Sequence, residues 1–322
     1  MRKVLVISNK SDLTSDFVIK NLKSRSINFY RFNTEDLLSS INITADLKSN
    51  SVRLFDKSLN QTISLKEFGA VYYRRPKIPT LEFNDVDHAE NTFLKKEIAY
   101  LFEGIYKAVR KAFWISPPFA IREAENKMYQ LEIANRIGFK IPNSFISNSY
   151  SECLQFYNAN SKQCIVKPIK SGLIEDEKGT KVIFTNELKE FPNQPDKIES
   201  FPLYIQEKID KKADVRVIVV GKKIFATLIH SQSCKETKTD WRRGEHNLEH
   251  VRIDLPKQLK SKCIKIVKDL GLQFGAIDLI LDKNEKFIFL EINPNGQWAW
   301  IENKTGYNIS SEIVNLLING NH

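Results

Sequence analysis

The chain has 322 residues, of which 42% are hydrophobic and 27% charged, and its formal net charge is +10. This length exceeds that of one typical domain, and the composition is that of a folded globular protein, which excludes a disordered chain. No apolar run approaches the ~18 residues of a membrane span, and the first one, residues 4–7, is too short for a signal peptide. We therefore expect a cytoplasmic protein without a membrane partner.

The positive charge favours an acidic partner, whether a nucleotide, an acidic peptide or a nucleic acid. Lys and Arg are spread along the chain, and no RNA-binding aromatic signature accompanies them, so we do not expect a nucleic-acid partner. The four cysteines are scattered and form no CxxC pair, which predicts reduced structural thiols.

The first part of the chain predicts a parallel α/β layer. It opens with an apolar strand over residues 2–8, a helix over 14–23 and a second strand over 28–32. A hairpin over 52–55 and 61–65, a strand over 71–73 and a long helix over 87–113 are predicted to follow. Pro117-Pro118 then marks the end of a first domain.

The middle part alternates short helices and strands. A helix over residues 124–137 precedes Gly138, which suits a C-terminal cap. Strands are predicted over 145–147, 164–167 and 182–185, with a helix over 151–158. The composition changes again near Leu203.

The last part begins with a hairpin around Gly221-Lys222. A polar segment over 232–251, a helix over 257–270, strands over 276–282 and 287–292 and a helix over 310–318 are predicted to follow it. We expect three domains: residues 1–121, 122–205 and 206–322.

The strongest local signal is a pair of acidic residues on the last two strands. If residues 283–286 form the turn, so that Asp282 faces Phe287, then Asp278 falls opposite Glu291 with Cβ atoms ~5 Å apart. Alternation places Asn293 on the same side as Glu291. Two carboxylates and an amide oxygen suit Mg²⁺. The alternative is that both carboxylates pair with Lys or Arg of the same layer.

Lys167 follows an apolar strand, where a nucleotide phosphate would compensate the cost of burying its ammonium. The alternative is a lysine that reaches back to water. Just beyond it, Lys170-Ser171-Gly172 and Lys178 predict a glycine-poor loop over phosphates.

Two further segments carry chemistry. Gln206-Glu207-Lys208-Ile209-Asp210 joins two predicted domains, and such a hinge can present its backbone to an adenine edge and a carboxylate to a ribose. Asp214 and Arg216 share one strand face, where a guanidinium can bind a phosphoryl group or a carboxylate. The alternatives are an ordinary linker and a surface Asp–Arg pair.

The order of these elements resembles the ATP-grasp superfamily from Arg122 to the C-terminus. The resemblance implies an α/β (α+β) ATP-grasp fold behind a smaller pre-ATP-grasp α/β domain. It assigns Lys127 and Lys167 to the phosphates of ATP, and it places Gln206, Glu207 and Ile209 at the adenine and Asp210 at the ribose. It further assigns Asp278, Glu291 and Asn293 to Mg²⁺, and Arg216 and Lys167 to catalysis at the reacting phosphate.

Within that superfamily the chain is most similar to the graspetide synthetases, the microviridin-type peptide maturases. The residues that carry this likeness are Tyr72-Tyr73-Arg74-Arg75-Pro76, Trp114-Ile115-Ser116-Pro117-Pro118, residues 124–142, and Glu291-Ile292-Asn293-Pro294-Asn295-Gly296-Gln297-Trp298. The resemblance places the Arg74-Arg75-Pro76 motif in no mechanistic role.

This likeness implies a ligase that uses ATP and Mg²⁺ to close ω-ester or ω-amide rings in an acidic precursor peptide. Family members recognise a leader segment of the precursor, for which the loop with Trp241, Arg242 and Arg243 is one candidate surface, and the likeness also suggests a homodimer. The rival readings are an amino-acid ligase resembling the glutamate ligases and a non-catalytic ATP-binding module. Because water hydrolyses acyl phosphates, we expect loops near Ser171 and over residues 232–251 to close over the site.

Overall fold

The structure is a computed structural model that describes residues 2–79, 87–170, 172–176 and 179–320. The strands in these ranges are β1 (Lys3–Ser8), β2 (Phe29–Asn33), β3 (Ile41–Asp46), β4 (Ser51–Asp56), β5 (Gln61–Ser64), β6 (Phe68–Tyr73), β7 (Phe113–Ile115), β8 (Ser144–Ser147), β9 (Cys164–Val166), β10 (Leu173–Asp176), β11 (Gly179–Val182), β12 (Asn186–Leu188), β13 (Leu203–Glu207), β14 (Lys211–Val220), β15 (Lys223–Ile229), β16 (His250–Ile253), β17 (Phe274–Asp282) and β18 (Phe287–Asn293). The helices are α1 (Leu13–Ser24), α2 (His88–Ala108), α3 (Pro118–Ala124), α4 (Lys127–Ile137), α5 (Tyr150–Ala159), α6 (Pro195–Ser200), α7 (Lys257–Asp269), α8 (Ala299–Thr305) and α9 (Ile309–Asn319).

The chain divides into two compact units. The first comprises Met1–Ile121, Gly271–Phe274 and Asn295–His322, and the second comprises Arg122–Leu270 and Gly275–Pro294. The division into residues 1–121, 122–205 and 206–322 stays a prediction. No helix of the described ranges is both long and apolar enough to cross a membrane.

The first unit is built on a parallel sheet in the order β2-β1-β6-β7. Its centre is β1, whose apolar residues 4–7 are fully buried, as their composition predicts. The predicted hairpin forms as β4 and β5, and β3 joins it in a meander.

The long helix of the first unit is shorter than predicted. It begins after the Asp87 capping box and ends at Ala108 rather than residue 113. Phe113 and Trp114 instead bury their rings as part of β7. Apolar residues continue past the end of α2 because α2 and β7 pack into the same core. Apolar periodicity alone therefore did not show where the helix ends.

The Arg74-Arg75-Pro76 motif has a structural role inside the first unit. Arg74 is 1% exposed, and its Nη1 donates to the carbonyl oxygens of Asn295 and Gly296. Its Nη2 donates to Gln297 Oε1 at 2.7 Å, while its Nε lies 3.8 Å from Asp12 Oδ2. One buried guanidinium therefore fixes the segment that follows β18 and leads to α8, a helix that the sequence did not predict.

The second unit contains two sheets and the hairpin β10–β11. The smaller sheet has the order β12-β9-β13-β8, and the larger has β16-β15-β14-β17-β18. Val220 pairs with Lys223, so the hairpin predicted at Gly221-Lys222 is confirmed. The strand predicted over residues 182–185 is wrong, because β11 ends at Val182 and β12 begins at Asn186.

The helix predicted over residues 124–137 is two helices. Asn126 separates α3 from α4 and caps α4, with its Oδ1 accepting from Tyr129 N at 3.1 Å. Gly138 ends α4 with φ of 86°, the left-handed conformation predicted for it. Lys127 is therefore the first residue of a capped helix, whereas the predicted boundary makes it the fourth residue of a helix.

A β-bulge corrects the predicted register of the last hairpin. Asp278 pairs with Glu291 as predicted, but Leu279 pairs with Phe289 and Leu281 with Phe287. Leu290 is the extra residue, so the prediction that Asp282 faces Phe287 is wrong. The turn is one residue longer than assumed, and the bulge restores the register before the acidic pair.

Candidate active site

Two carboxylates and two cations meet where the last strands of the second unit pair. Asp278 on β17 and Glu291 on β18 are register partners. Arg216 on neighbouring β14 donates from Nη1 to Asp278 Oδ2 at 2.7 Å. Lys127, at the start of α4, places Nζ 3.2 Å from Glu291 Oε2. The cross-strand acidic pair is confirmed, and each of its members also pairs with a cation. The alternative of cations from the same layer holds for Arg216, whereas Lys127 comes from a helix.

The pKa values of the two carboxyl groups shift in opposite directions. Burial raises the pKa of Asp278, and the Arg216 guanidinium offsets this only in part. Burial acts on Glu291 in the same sense, but the ammonium groups of Lys127 and Lys167 outweigh it, so the pKa of Glu291 is lowered. The pair therefore combines one readily ionised carboxyl group with one that resists ionisation.

The side chain of Gln130 joins α4 to the edge strand β18. Its Oε1 accepts from Ile292 N at 3.0 Å, and its Nε2 donates to Ile292 O at 2.8 Å and to Ala124 O at 2.6 Å. Gln130 is 3% exposed and lies one helical turn after Lys127. It thus acts as a substitute strand partner and holds Lys127 beside Glu291. Sequence analysis missed this residue, since a glutamine within a helix carries no local signal of such a role.

Lys167 directly follows β9 and is half-buried. Its Nζ lies 4.9 Å from the centre of the Tyr204 ring. Burial lowers the pKa of Lys167, and the Glu291 carboxylate counteracts this only in part. Among the described residues no carboxylate forms an ion pair with this ammonium, which leaves it available to an anionic ligand.

The hinge residues lie on and just after β13. Gln206 is buried, and its Nε2 donates to Ser144 Oγ at 2.7 Å and to the Tyr204 hydroxyl at 3.4 Å. Glu207 Oε2 accepts from Asn143 Nδ2 at 3.1 Å. Tyr204, on the strand that precedes the hinge, thus contacts Gln206 through its hydroxyl and Lys167 through its ring.

Ile209 and Asp210 lie further along the hinge. Ile209 is half-buried, and Asp210 is exposed and pairs with Lys283 Nζ at 2.6 Å. In the described part of the chain no contact joins Glu207, Ile209 or Asp210 to the acidic pair. Their adenine and ribose roles therefore stay predictions.

Asp214 and Arg216 share one face of β14 but have different partners. Asp214 Oδ2 accepts from Lys211 Nζ at 2.6 Å, and burial raises the pKa of this carboxyl group. Asp214 and Arg216 are 5% and 6% exposed, so the alternative of a surface Asp–Arg pair is wrong.

Arg242 is a further cation beside the acidic pair. Asp240 holds it through two bonds, Oδ1 to Nε at 2.8 Å and Oδ2 to Nη2 at 2.6 Å. This carboxylate raises the pKa of Arg242, and the charge of Arg242 helps to lower the pKa of Glu291. In the sequence analysis the loop with Trp241, Arg242 and Arg243 is one candidate surface for a leader segment, and Arg242 is not among the predicted site residues. The polar segment 232–251 showed no pattern that predicted its short helix Trp241–Asn247.

The donor atoms fit a hard divalent cation. Arg216 contacts Oδ2 of Asp278 and Lys127 contacts Oε2 of Glu291, and each carboxyl group has a second oxygen of the kind that such a cation prefers. Asn293 is the exposed last residue of β18, and its role as a ligand stays a prediction. The described residues assemble no cluster of three or more His, Cys, Asp and Glu. A cation here would complete its coordination shell with oxygens of the substrate, as Mg²⁺ commonly does.

The predicted phosphate loop includes Ser171 and Lys178, which lie outside the described residues.

A family model of the RimK-like ATP-grasp domain matches residues 124–317, more than half of the chain. The chain belongs to the RimK-like ATP-grasp family. A second family model, of the MvdD pre-ATP-grasp domain, matches residues 3–122 of this ATP-grasp protein. The predicted fold class and the predicted resemblance are thereby confirmed.

Two solved structures that contain bound peptides resemble this ATP-grasp protein over its whole length. A RiPP-associated ATP-grasp ligase of Chryseobacterium gregarium, in complex with ADP and a leader and core peptide, is 26% identical with a TM-score of 0.91, covering 100% of this chain and 98% of that chain. The macrocyclase MdnC of Microcystis aeruginosa, bound with precursor peptide MdnA, is 26% identical with a TM-score of 0.85, covering 99% and 100%.

A relative of another kind matches a shorter stretch. The probable alpha-L-glutamate ligase of Haemophilus influenzae is 26% identical over 222 residues, which are 67% of this chain and 69% of that protein. Both kinds of relative are ligases, so the prediction that this ATP-grasp protein is a ligase enzyme is confirmed.

Proposed function

We propose that this protein activates side-chain carboxylates of an acidic precursor peptide with ATP and closes ω-ester or ω-amide rings. The observation that carries the proposal is the acidic pair Asp278 and Glu291 surrounded by the cations Arg216, Lys127 and Lys167. Such a concentration of fixed charge suits a reaction in which alignment and neutralisation of phosphate, rather than a protein nucleophile, do most of the catalysis. The full-length likeness to the two peptide-bound ligases supports the peptide as substrate.

The reaction has two steps. A carboxylate oxygen of a peptide Asp or Glu attacks the γ-phosphorus of ATP, giving an acyl phosphate and releasing ADP. A Ser or Thr hydroxyl, or a Lys amine, then attacks the acyl carbon, loses its proton and expels phosphate. Each ring therefore costs the peptide one water, and each turnover converts one ATP to ADP and phosphate.

The side chains have separate tasks in this scheme. Lys127 and Lys167 hold the phosphates of ATP, and Arg216 holds the transferring group. Gln206, Glu207 and Ile209 contact the adenine, and Asp210 contacts the ribose. Asp278, Glu291 and Asn293 would hold Mg²⁺, which would neutralise charge on the phosphates. The leader segment of the peptide and a homodimer belong to the same proposal.

One observation favours a second candidate function. The likeness to glutamate ligases covers two thirds of the chain, and such an enzyme would use the same ATP site to attach a free amino acid. The two candidates predict opposite changes of mass, since ring closure removes water whereas attachment adds an amino-acid residue.

The deciding experiment is mass spectrometry of the candidate precursor peptide after incubation with the protein, ATP and Mg²⁺. We expect successive losses of one water per ring, which require ATP. Glu291→Gln should lower ring formation by about 10²–10³-fold, because it removes a carboxylate that would hold Mg²⁺ at the phosphates. Glu285→Gln is the matched control, since Glu285 is an exposed glutamate on the turn of the same hairpin.

Two outcomes would overturn the proposal. Ring formation that is equal in Glu291→Gln and the unaltered protein would remove the acidic pair from the chemistry. An unchanged peptide mass, with phosphate release that instead requires a free amino acid, would establish the amino-acid ligase.

A further inference from the structure

A cavity of about 270 Å³ is lined by residues of the first unit, whereas the residues of the proposed active site belong to the second unit. The end of α2, β7, the start of α3 and the segment around Gln273 form its walls. Its aromatic lining consists of Tyr106, Phe113, Trp114 and Phe119, and its cations are Lys107 and Arg110.

The cavity has an apolar interior and a charged rim. Phe113 and Trp114 are 2% and 7% exposed and form its deeper wall, while Phe119 at the mouth is 40% exposed. The Trp114 indole donates to Val109 O at 3.1 Å, so its polar atom is already satisfied and only its ring faces a ligand. A lining of this kind favours a flat apolar group.

The two cations of the lining lie at exposed positions. Lys107 and Arg110 are both exposed, and among the described residues neither forms an ion pair. Lys107 Nζ lies 4.4 Å from the centre of the Phe119 ring, which keeps the ammonium over the mouth of the cavity. Arg110 uses Nη1 to bond Lys107 O at 3.0 Å, and this bond holds its guanidinium beside the same mouth.

This arrangement separates the charge of a ligand from its apolar part. Anionic groups must stay at the rim with the two cations, while a ring enters the cavity, whose volume of about 270 Å³ is sufficient for an aromatic side chain. A peptide with an aromatic residue between acidic neighbours has this chemistry. We propose that the cavity is a docking site for such an acidic peptide segment, separate from the site of ring closure.

The test is calorimetric titration of the full chain with acetyl-Glu-Phe-Glu-amide. Two comparison peptides are acetyl-Glu-Ala-Glu-amide, which lacks the ring, and acetyl-Lys-Phe-Lys-amide, which reverses the charge. We expect only the first to bind, with affinity that falls as salt is raised, because the cations are exposed. Binding does not depend on turnover, so this result stands whether or not the protein closes rings.

Variants locate the binding. The double change Lys107→Glu and Arg110→Glu should weaken binding at least about tenfold, since two attractions become repulsions. The matched control is Lys95→Glu with Lys96→Glu, which makes the same change of charge on exposed positions of α2, the helix that carries Lys107. Phe119→Ala should also weaken binding, and as a truncation of a half-exposed side chain it leaves the fold intact.

Three results would overturn the proposal. The first is no binding of acetyl-Glu-Phe-Glu-amide, or equal binding by the two double variants. The second is binding of N-acetylphenylalanine as tight as that of the peptide, which would make the site one for a small aromatic acid. The third is a dimer in sedimentation velocity that Phe119→Ala dissociates, which would show that a second copy of the chain covers the cavity.

Discussion

At the scale of single residues, the centre of the proposed site is a set of charges that neutralise one another across three strands and a helix. Arg216 and Asp278 are nearly buried, with side-chain exposures of 7% and 18%. A buried pair of this kind contributes little net stability, but the loss of one partner leaves an uncompensated charge. Arg216 is thus tied both to the fold and to the chemistry.

Arg216→Gln is expected to lower ring formation by about 10²–10³-fold and to destabilise the protein by about 3–5 kcal/mol. The reason is that Asp278 loses the guanidinium that opposes the effect of burial on its pKa. Peptide mass spectrometry and urea unfolding measure the two effects. Arg136→Gln, on the exposed face of α4, is the control. Activity and stability equal to those of the unaltered protein would contradict this account.

The sequence allowed the acidic pair to be predicted, but for a reason that was partly wrong. The turn is one residue longer than assumed, which shifts the register by one residue, and the bulge at Leu290 shifts it back. Asp278 therefore still faces Glu291. Alternation of apolar and acidic residues carries this information locally. The bonds of Gln130 and the position of Arg242 depend on packing between segments distant in sequence, which no local pattern encodes.

At the scale of elements, the position of α4 is set by side-chain bonds to an edge strand. An edge strand exposes unpaired backbone groups, and the amide of Gln130 occupies two of them on Ile292. The same helix carries Lys127 at its capped end, so the fit of helix to strand fixes one cation of the site. The position of Lys127 thus depends on where α4 begins, and the sequence-based prediction placed that start three residues too early.

Gln130→Leu should destabilise the protein by about 1–3 kcal/mol, because Ile292 N and O lose their partners while buried. It should also weaken ATP binding, since Lys127 is no longer held beside Glu291. Urea unfolding and titration with a non-hydrolysable ATP analogue measure both effects. Glu132→Leu, an exposed position of the same helix, controls for the added leucine. Unfolding unchanged by Gln130→Leu would contradict the role of this side chain.

At the scale of the whole molecule, ionisable groups buried in both units make the free energy of unfolding depend on pH in the alkaline range. Burial raises the pKa of Tyr72 in the first unit to about 12, and in the second unit it raises the pKa of Cys164 to about 11 and of Cys263 to about 12. The folded chain therefore keeps protons that the unfolded chain releases. The free energy of unfolding must fall as pH rises through this interval.

Cys263 gives the sharpest test. Between pH 9 and pH 12 its ionisation in the unfolded chain alone should lower the free energy of unfolding by about 1.4 kcal/mol per pH unit. Cys263→Ala should reduce the measured slope by that amount in urea unfolding at successive pH values. Cys234→Ala, which removes an exposed thiol, should leave the slope unchanged. Equal slopes for all three proteins would show that the Cys263 thiol ionises equally in the folded chain.

The first unit is completed by residues from the far end of the chain. Helix α9 packs on α1 and β6, and Arg74 bonds the segment that precedes α8. At a synthesis rate of roughly 5–20 residues per second, the groups that close this core emerge about 10–40 seconds after β7. During that interval the apolar surface of the first unit that α9 later covers stays exposed on the nascent chain. A ribosome that pauses late in the message would prolong the exposure and expose the protein to chaperones or aggregation.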